Sequence, residues 1–227
     1  MTNDHDPGRH VADGSDRGLF PHPNPSAEIR LVVAVGSGAV LGVLSRLGDG
    51  LPAGLAGLSD IGGPWLVLAF ALGALGHRPR RSAALGAASL ACAAASYYGY
   101  VEFVQGGAAP VHLVSLALFW VMVGLGSGAV FGLAGRCWRW GSSWARVGAV
   151  SGLTGALVGE SLLQATRTAP QIWLVVAELT AGLIAPWVLF RARELTTRAA
   201  AVGLAVATPA GIVVTAALSS VSLHLAN

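Results

Sequence analysis

The sequence predicts an all-α, polytopic membrane helix bundle of about seven transmembrane helices, and three observations carry that prediction. Hydrophobic residues make up 54% of the 227 and charged residues only 11%, where an average soluble domain carries about 25% charged. Apolar runs of near-spanning length recur from residue 30 onward, separated by short polar breaks. The basic residues, all arginine, collect in alternate breaks. With a mean hydropathy of +0.64, the chain needs a solvent that accepts apolar surface, and lipid is that solvent.

Residues 1–28 stand apart as a disordered cytoplasmic tail. They hold Asp4, Asp6, Asp13, Asp16 and Glu28, prolines at 21, 23 and 25, and no apolar periodicity. The acidic start and the lack of a short apolar core argue against a cleavable signal. Residues 29–227 form the transmembrane helical domain. Its spans are predicted at 30–48, 62–77 (or from near Leu58), 82–101, 111–135, 147–165, 171–190 and 199–223. Most approach the ~20 residues that cross about 30 Å of hydrocarbon at about 1.5 Å per residue. Inside lipid the backbone must satisfy its own hydrogen bonds, and without period-two alternation that means helices.

Arginine placement predicts the orientation. Arg9, Arg17 and Arg30 lie in or beside the tail, Arg78, Arg80 and Arg81 between spans two and three, Arg136, Arg139 and Arg146 between four and five, and Arg191, Arg193 and Arg198 between six and seven. Only Arg46 and Arg167 fall on the other face. The positive-inside rule then puts the N-terminus in the cytoplasm and the C-terminus outside a bacterial cell membrane. A net charge of +3 and a pI of about 9.4 thus reflect topology and anionic head groups, so membrane lipids are expected partners and nucleic acid is not. Cys92 sits in an apolar run and Cys137 in an Arg/Trp loop, at different depths and without ligand-spaced neighbours, so neither a disulfide nor a metal is expected. No cofactor is implied.

Residues 36–46, GSGAVLGVLSR, match residues 126–136, GSGAVFGLAGR, at seven of eleven positions. Three helices separate the copies, so they run in opposite directions: the pattern of a 3+3 inverted repeat with one helix appended. A chain with 31 glycines also matches itself by chance, and Gly124, Gly128 and Gly132 read equally well as a small-xxx-small packing face. Gly124, Gly126 and Ala129 imitate a dinucleotide fingerprint, but no strand precedes them.

Ionisable groups inside hydrocarbon point most directly to function. Glu160, in VGESLLQ, and Glu178, in VVAELTAG, flank the short loop TRTAP, each nine residues from Ala169. They should lie at matching depth in the outer half of a tight hairpin. Two carboxylates close together in low dielectric share a proton as a unit, which suits proton coupling, cation binding or acid–base catalysis. Alternatively each accepts a hydrogen bond or pairs with Arg46 or Arg167. On the same outer side lie Arg46, Asp49 and Asp60, then Tyr97, Tyr98, Tyr100, Glu102, His112 and Gln164. We take Arg46, Tyr97, Tyr98, Tyr100, Glu102, His112 and Gln164 as candidate ligand-binding residues, while noting that tyrosines at helix ends also form interfacial belts. On the other face, RCWRWGSSWAR interleaves Arg136, Arg139 and Arg146 with Trp138, Trp140 and Trp144, as expected for lipid anchoring. Pro186 and Pro209 can kink spans six and seven. No Walker loop, HExxH, GxSxG or Asp-rich diphosphate-binding pair is present.

The segments GGPWLVLAFALGALGHRPRR, SYYGY, FGLAGRCWRW and LVGESL resemble a family of small actinobacterial multi-pass membrane proteins whose function is unknown. The likeness covers about residues 30–215 and is carried mostly by Gly, Ala and Leu. It implies a similar helical membrane fold, with Tyr97, Tyr98, Gly99 and Glu160 at recurring polar positions, and no activity.

Three functions fit these residues. The first is binding or transport of a small or amphipathic molecule, with Glu160 and Glu178 carrying charge or a proton, Arg46 balancing them and the tyrosines at the mouth. The second is an intramembrane enzyme acting on an isoprenoid-type substrate, similar in helix number and paired acids to membrane terpene cyclases, with Trp120 and Tyr98 facing carbocations. The third is an accessory subunit, in which a second copy or a membrane partner would be bound.

Overall fold

The computed structural model describes residues 26–50, 62–104, 111–166 and 172–191, with Ala205 and Val213. They form six helices: α1 (Ala27–Asp49), α2 (Gly63–Ala74), α3 (Pro79–Val104), α4 (Val111–Trp140), α5 (Ser143–Ala165) and α6 (Ile172–Arg191). The first six predicted spans each find their helix. The seventh, with Arg167, Arg193, Arg198, Asp60, Pro209 and the tail before Ser26, lies outside the described residues.

The helices overrun the predicted spans at the arginine-bearing ends. The Ser26 hydroxyl accepts from the Ile29 N–H, so α1 starts inside the predicted tail, with Glu28 in its first turn. Pro79 opens α3, where its missing N–H costs nothing, and Arg80 and Arg81 become helical. The predicted fourth-to-fifth loop shrinks to Gly141 and Ser142, with the Ser142 hydroxyl accepting from the Ala145 N–H. Cys137 is therefore helical instead of in a loop. Helices continue past the hydrocarbon edge wherever caps and arginines favour them; apolar length alone does not register this.

α1, α4 and α6 are long and apolar enough to cross a membrane. Large apolar side chains stand open on each: Val32 is 70% exposed, Met122 65% and Trp187 61%. Contiguous exposure on this scale belongs against lipid, and the three helices indicate a multi-pass membrane protein. α3 and α5, with 26 and 23 residues, are long enough but carry smaller and more polar side chains.

α3 is the hub, with α1 and α4 against it. A Cβ on Gly38 or Gly42 of α1 would collide with the Ser89 or Ala93 carbonyl oxygen, and one on Gly128 or Gly132 of α4 with the Gly86 or Ser82 carbonyl. The two matching GSGAV segments thus dock on one helix by equivalent glycines, backbone against backbone, as small-xxx-small faces do. The repeat-related partner of α1–α3 packing would be α4–α6 packing; α4 lies instead along α3, α2 and α5. α2 packs on α3 and α4, and α5 pairs with α6. Phe70, Ala149, Leu153 and Leu157 join α2 to α5, with Phe131 and Trp138 of α4 around them.

Candidate functional site

α2 decides where the site lies. Its 12 residues span about 18 Å, well short of the hydrocarbon thickness. Its C-terminal end is at the arginine-bearing side. There Arg139 donates to the Ala74 carbonyl at 3.3 Å, Arg30 to the Leu75 carbonyl at 2.7 Å, and Arg136 to the His77 carbonyl at 3.1 Å. Arg139 and Arg30 therefore satisfy carbonyls that the helix end leaves open, at the negative pole of its dipole, and Arg136 bonds the linker just beyond.

The other end meets the glutamates. Gly62 and Gly63 open α2, and Pro64 holds its first turn. The Gly62 N–H donates to Glu160 Oε1, reaching across from α5. A carboxylate from a neighbouring helix thus takes up an N–H that a helix start leaves open, at a part-buried position. A Cβ on Gly62 would press within 3.0 Å of Glu160 Oε2; glycine is what lets the carboxylate approach.

Glu178 of α6 completes the site. It is 6% exposed, and the α5–α6 register, which sets Gly182 against Leu157 and Val158, brings its carboxyl beside Glu160 and near Gly63 and Ser161. Its Oε1 is buried with no hydrogen-bond partner among the described residues. Two carboxyl groups from adjoining helices thus meet at the positive end of a third. The arrangement can hold a proton between two oxygens, or present paired oxygens to a cation.

A second polar cluster closes the ends of α1 and α3. Arg46 pairs with Asp49 at 2.7 Å, Tyr97 Oη donates to the same Asp49 Oδ2 at 2.6 Å, and the guanidinium lies 5.8 Å from the Tyr97 ring centre. Tyr98 meets Tyr97 edge-on.

Of the residues selected from sequence, the structure brings Glu160 to Glu178, and Arg46 to Tyr97 and Tyr98. Among the described residues Arg46 pairs with Asp49, where the sequence reading gave it the two glutamates to balance. Tyr100 and Glu102 are half-buried near the end of α3, and Gln164 near the end of α5. His112 is in the first turn of α4, its side chain outside the described residues. Sequence reading missed Gly62, Gly63 and Ser161. The available signal was Gly-Gly-Pro opening a span too short to cross. It also took the Arg/Trp segment as lipid-facing, whereas Arg139 bonds to the α2 end and Arg136 to the linker just beyond. Trp138 turns inward, its Nε1 donating to the Leu189 carbonyl at 3.4 Å.

Six packed helices, three of them apolar enough to span, with a carboxyl pair at the start of a short one, define a helical membrane protein with an ionisable interior site. The chain belongs to the Family of unknown function (DUF6518), whose model matches residues 22–222. No curated protein and no solved structure matches it.

Proposed function

We propose that the protein binds or transports a small or amphipathic molecule within the bilayer, and that Glu160 and Glu178 carry the proton or charge on which this depends. The observation behind the reading is their meeting at the N-terminal end of α2, with Glu178 Oε1 left without a hydrogen-bond partner among the described residues. Buried acids are costly, and an interrupted helix facing an ionisable pair is a recurrent arrangement in transporters. In this proposal residues 199–223 supply a seventh span, the arginine-bearing end is cytoplasmic, and the matched segments 36–46 and 126–136 stem from an inverted duplication. The Arg46–Tyr97–Tyr98 cluster, with Tyr100, Glu102, His112 and Gln164, forms the outer rim, and membrane lipids are the surrounding partners.

The test is purified protein in proteoliposomes under an imposed pH gradient, with lumenal pH followed by a trapped dye. A panel of amphipathic cations and small neutral solutes is added in turn. Wild type should couple at least one solute to proton movement, and Glu178→Gln should abolish that coupling. No coupled solute, or equal traces for wild type, Glu160→Gln and Glu178→Gln, would overturn the reading.

A second reading has its own observation. Glu160 accepts from the Gly62 N–H and could serve only to cap α2 in an accessory subunit. The enzyme reading gains no comparable support: Tyr98 meets Tyr97 edge-on, and Trp120 meets Phe119 in the same way.

A further inference from the structure

Among the described residues, the buried side-chain polar atoms without a hydrogen-bond partner include Arg146 Nε, Ser151 Oγ, Thr154 Oγ1 and Glu178 Oε1. Three others, Arg46 Nε, Ser82 Oγ and Glu102 Oε2, belong to α1 and α3; these four belong to α5 and α6. Arg146, Ser151 and Thr154 are on α5, and Ser151, Thr154 and Ser161 share one face by their spacing of three and seven residues. Ser151 and Thr154 are 3% and 0% exposed. The charged groups of α5 and α6 are Arg146, Glu160, Glu178 and Arg191, so the face between Arg146 and the carboxyl pair carries hydroxyls and no charge.

The register of α6 shows what this face meets. Glu178 lies near Ser161, Gly182 lies against Leu157 and Val158, and Phe190 clusters with Val147 and Val150. Continuing that antiparallel register sets Pro186 opposite Thr154. Pro186 is buried within α6 and has no N–H to give the Gly182 carbonyl, one turn nearer the glutamates. The Ser161 hydroxyl donates to the Leu157 carbonyl at 2.9 Å. Polar atoms therefore succeed one another along the α5–α6 seam, from the pair to Arg146, over about 22 Å of helix.

Valine in place of Thr154 would fill the same space without stranding an oxygen, and alanine in place of Ser151 would remove one for a small loss of volume. Buried hydroxyls with no protein partner, aligned on one face, are what ordered water satisfies. We propose that the α5–α6 seam is a water-lined access path, walled by Ser161, Thr154 and Ser151, through which the Glu160–Glu178 pair exchanges protons with the arginine-bearing side. The inference rests on the reading of the pair as proton-carrying.

The experiment is thiol accessibility in the full chain with Cys92→Ser and Cys137→Ser. Proteoliposomes are treated from each side with a membrane-impermeant methanethiosulfonate, and Arg80→Cys marks the arginine-bearing face. Ser151→Cys and Thr154→Cys should react from that face about tenfold faster than Leu153→Cys, which is equally buried but turned into the apolar core, because only a wetted thiol ionises. Equal rates would overturn the path. Thr154→Val keeps the shape without the oxygen, and should slow solute-coupled proton movement several-fold while leaving the amount of folded protein unchanged; unaltered movement also overturns the path. The two proposals separate cleanly: reactive thiols with an ineffective Glu178→Gln would sink the pair's role, whereas protected thiols with an effective Glu178→Gln would sink only the path.

Discussion

The α1–α3–α4 seam and the α5–α6 seam are both tight helix contacts, built from opposite materials. In the first, Gly38, Gly42, Gly128 and Gly132 let backbones touch, and the polar side chains there mostly bond within their own helix, as Ser89 does to the Gly86 carbonyl at 2.8 Å. In the second, larger side chains interdigitate and Ser151, Thr154 and Glu178 bury polar atoms that the packing does not use. The first seam buries one such atom too, Ser82 Oγ, beside Gly132. What sets the second apart is that its row of unpartnered hydroxyls leads to a carboxyl pair.

The comparison breaks most readily at the glycines. Gly42→Leu would push side-chain carbon into the Ala93 carbonyl, with rigid backbone on both sides and nothing able to give. We expect a loss of about 3 kcal/mol or more, the upper range for overpacking, read as aggregation in detergent by size exclusion. A normal monodisperse peak would mean that the seam is looser than described.

Glu160 and Glu178 should then part company. Glu160→Ala removes the acceptor of the part-buried Gly62 N–H, costing about 1 kcal/mol, measured as a lowered thermal midpoint. Glu160→Gln keeps an acceptor oxygen and should nearly restore stability. Glu178→Leu should be neutral or stabilising, because a well-packed apolar group often replaces a buried charge without loss. Destabilisation by Glu178→Leu as large as by Glu160→Ala would make both glutamates structural, and would dissolve the contrast between the seams. At the other end of α2, Arg139→Met removes one of two carbonyl partners at a partly exposed helix end, with an expected cost of about 0.3–1 kcal/mol.

How much of this was legible in the sequence follows from range. Apolar length located six helices to within a few residues, because each apolar run reports on its own local solvent. Equal spacing of Glu160 and Glu178 from the TRTAP loop foretold their matching depth, since a hairpin fixes depth by counting. The Gly62 N–H was out of reach: it meets Glu160 across 98 positions, and nothing local to either residue specifies that contact. Arg136 and Arg139 were misjudged for the same reason. Their composition suits head groups, and only the packing of α4 beside α2 turns them onto carbonyls at its end and just beyond. The matched glycine segments were legible as a pattern but not as a cause, because one docking surface on α3 and an ancestral duplication write the same residues.

The smallest effect separates those causes at a single residue. Gly126 and Gly128 sit in the same copy of the matched segment, as Gly36 and Gly38 do in the other, yet a Cβ on Gly36 or Gly126 meets nothing within 4 Å. If packing on α3 alone selects these glycines, Gly126 is free to change. Gly126→Ala should then raise stability by about 0.5–1 kcal/mol, because alanine restricts the unfolded backbone and favours the helix. Gly128→Ala, two residues along, should lose several times that amount against the Gly86 carbonyl. Thermal midpoints in one detergent check both. A Gly126→Ala protein less stable than wild type would mean that another surface, a second copy or an undescribed part of this chain, covers the open side of α4. The glycines of that segment would then serve two contacts at once.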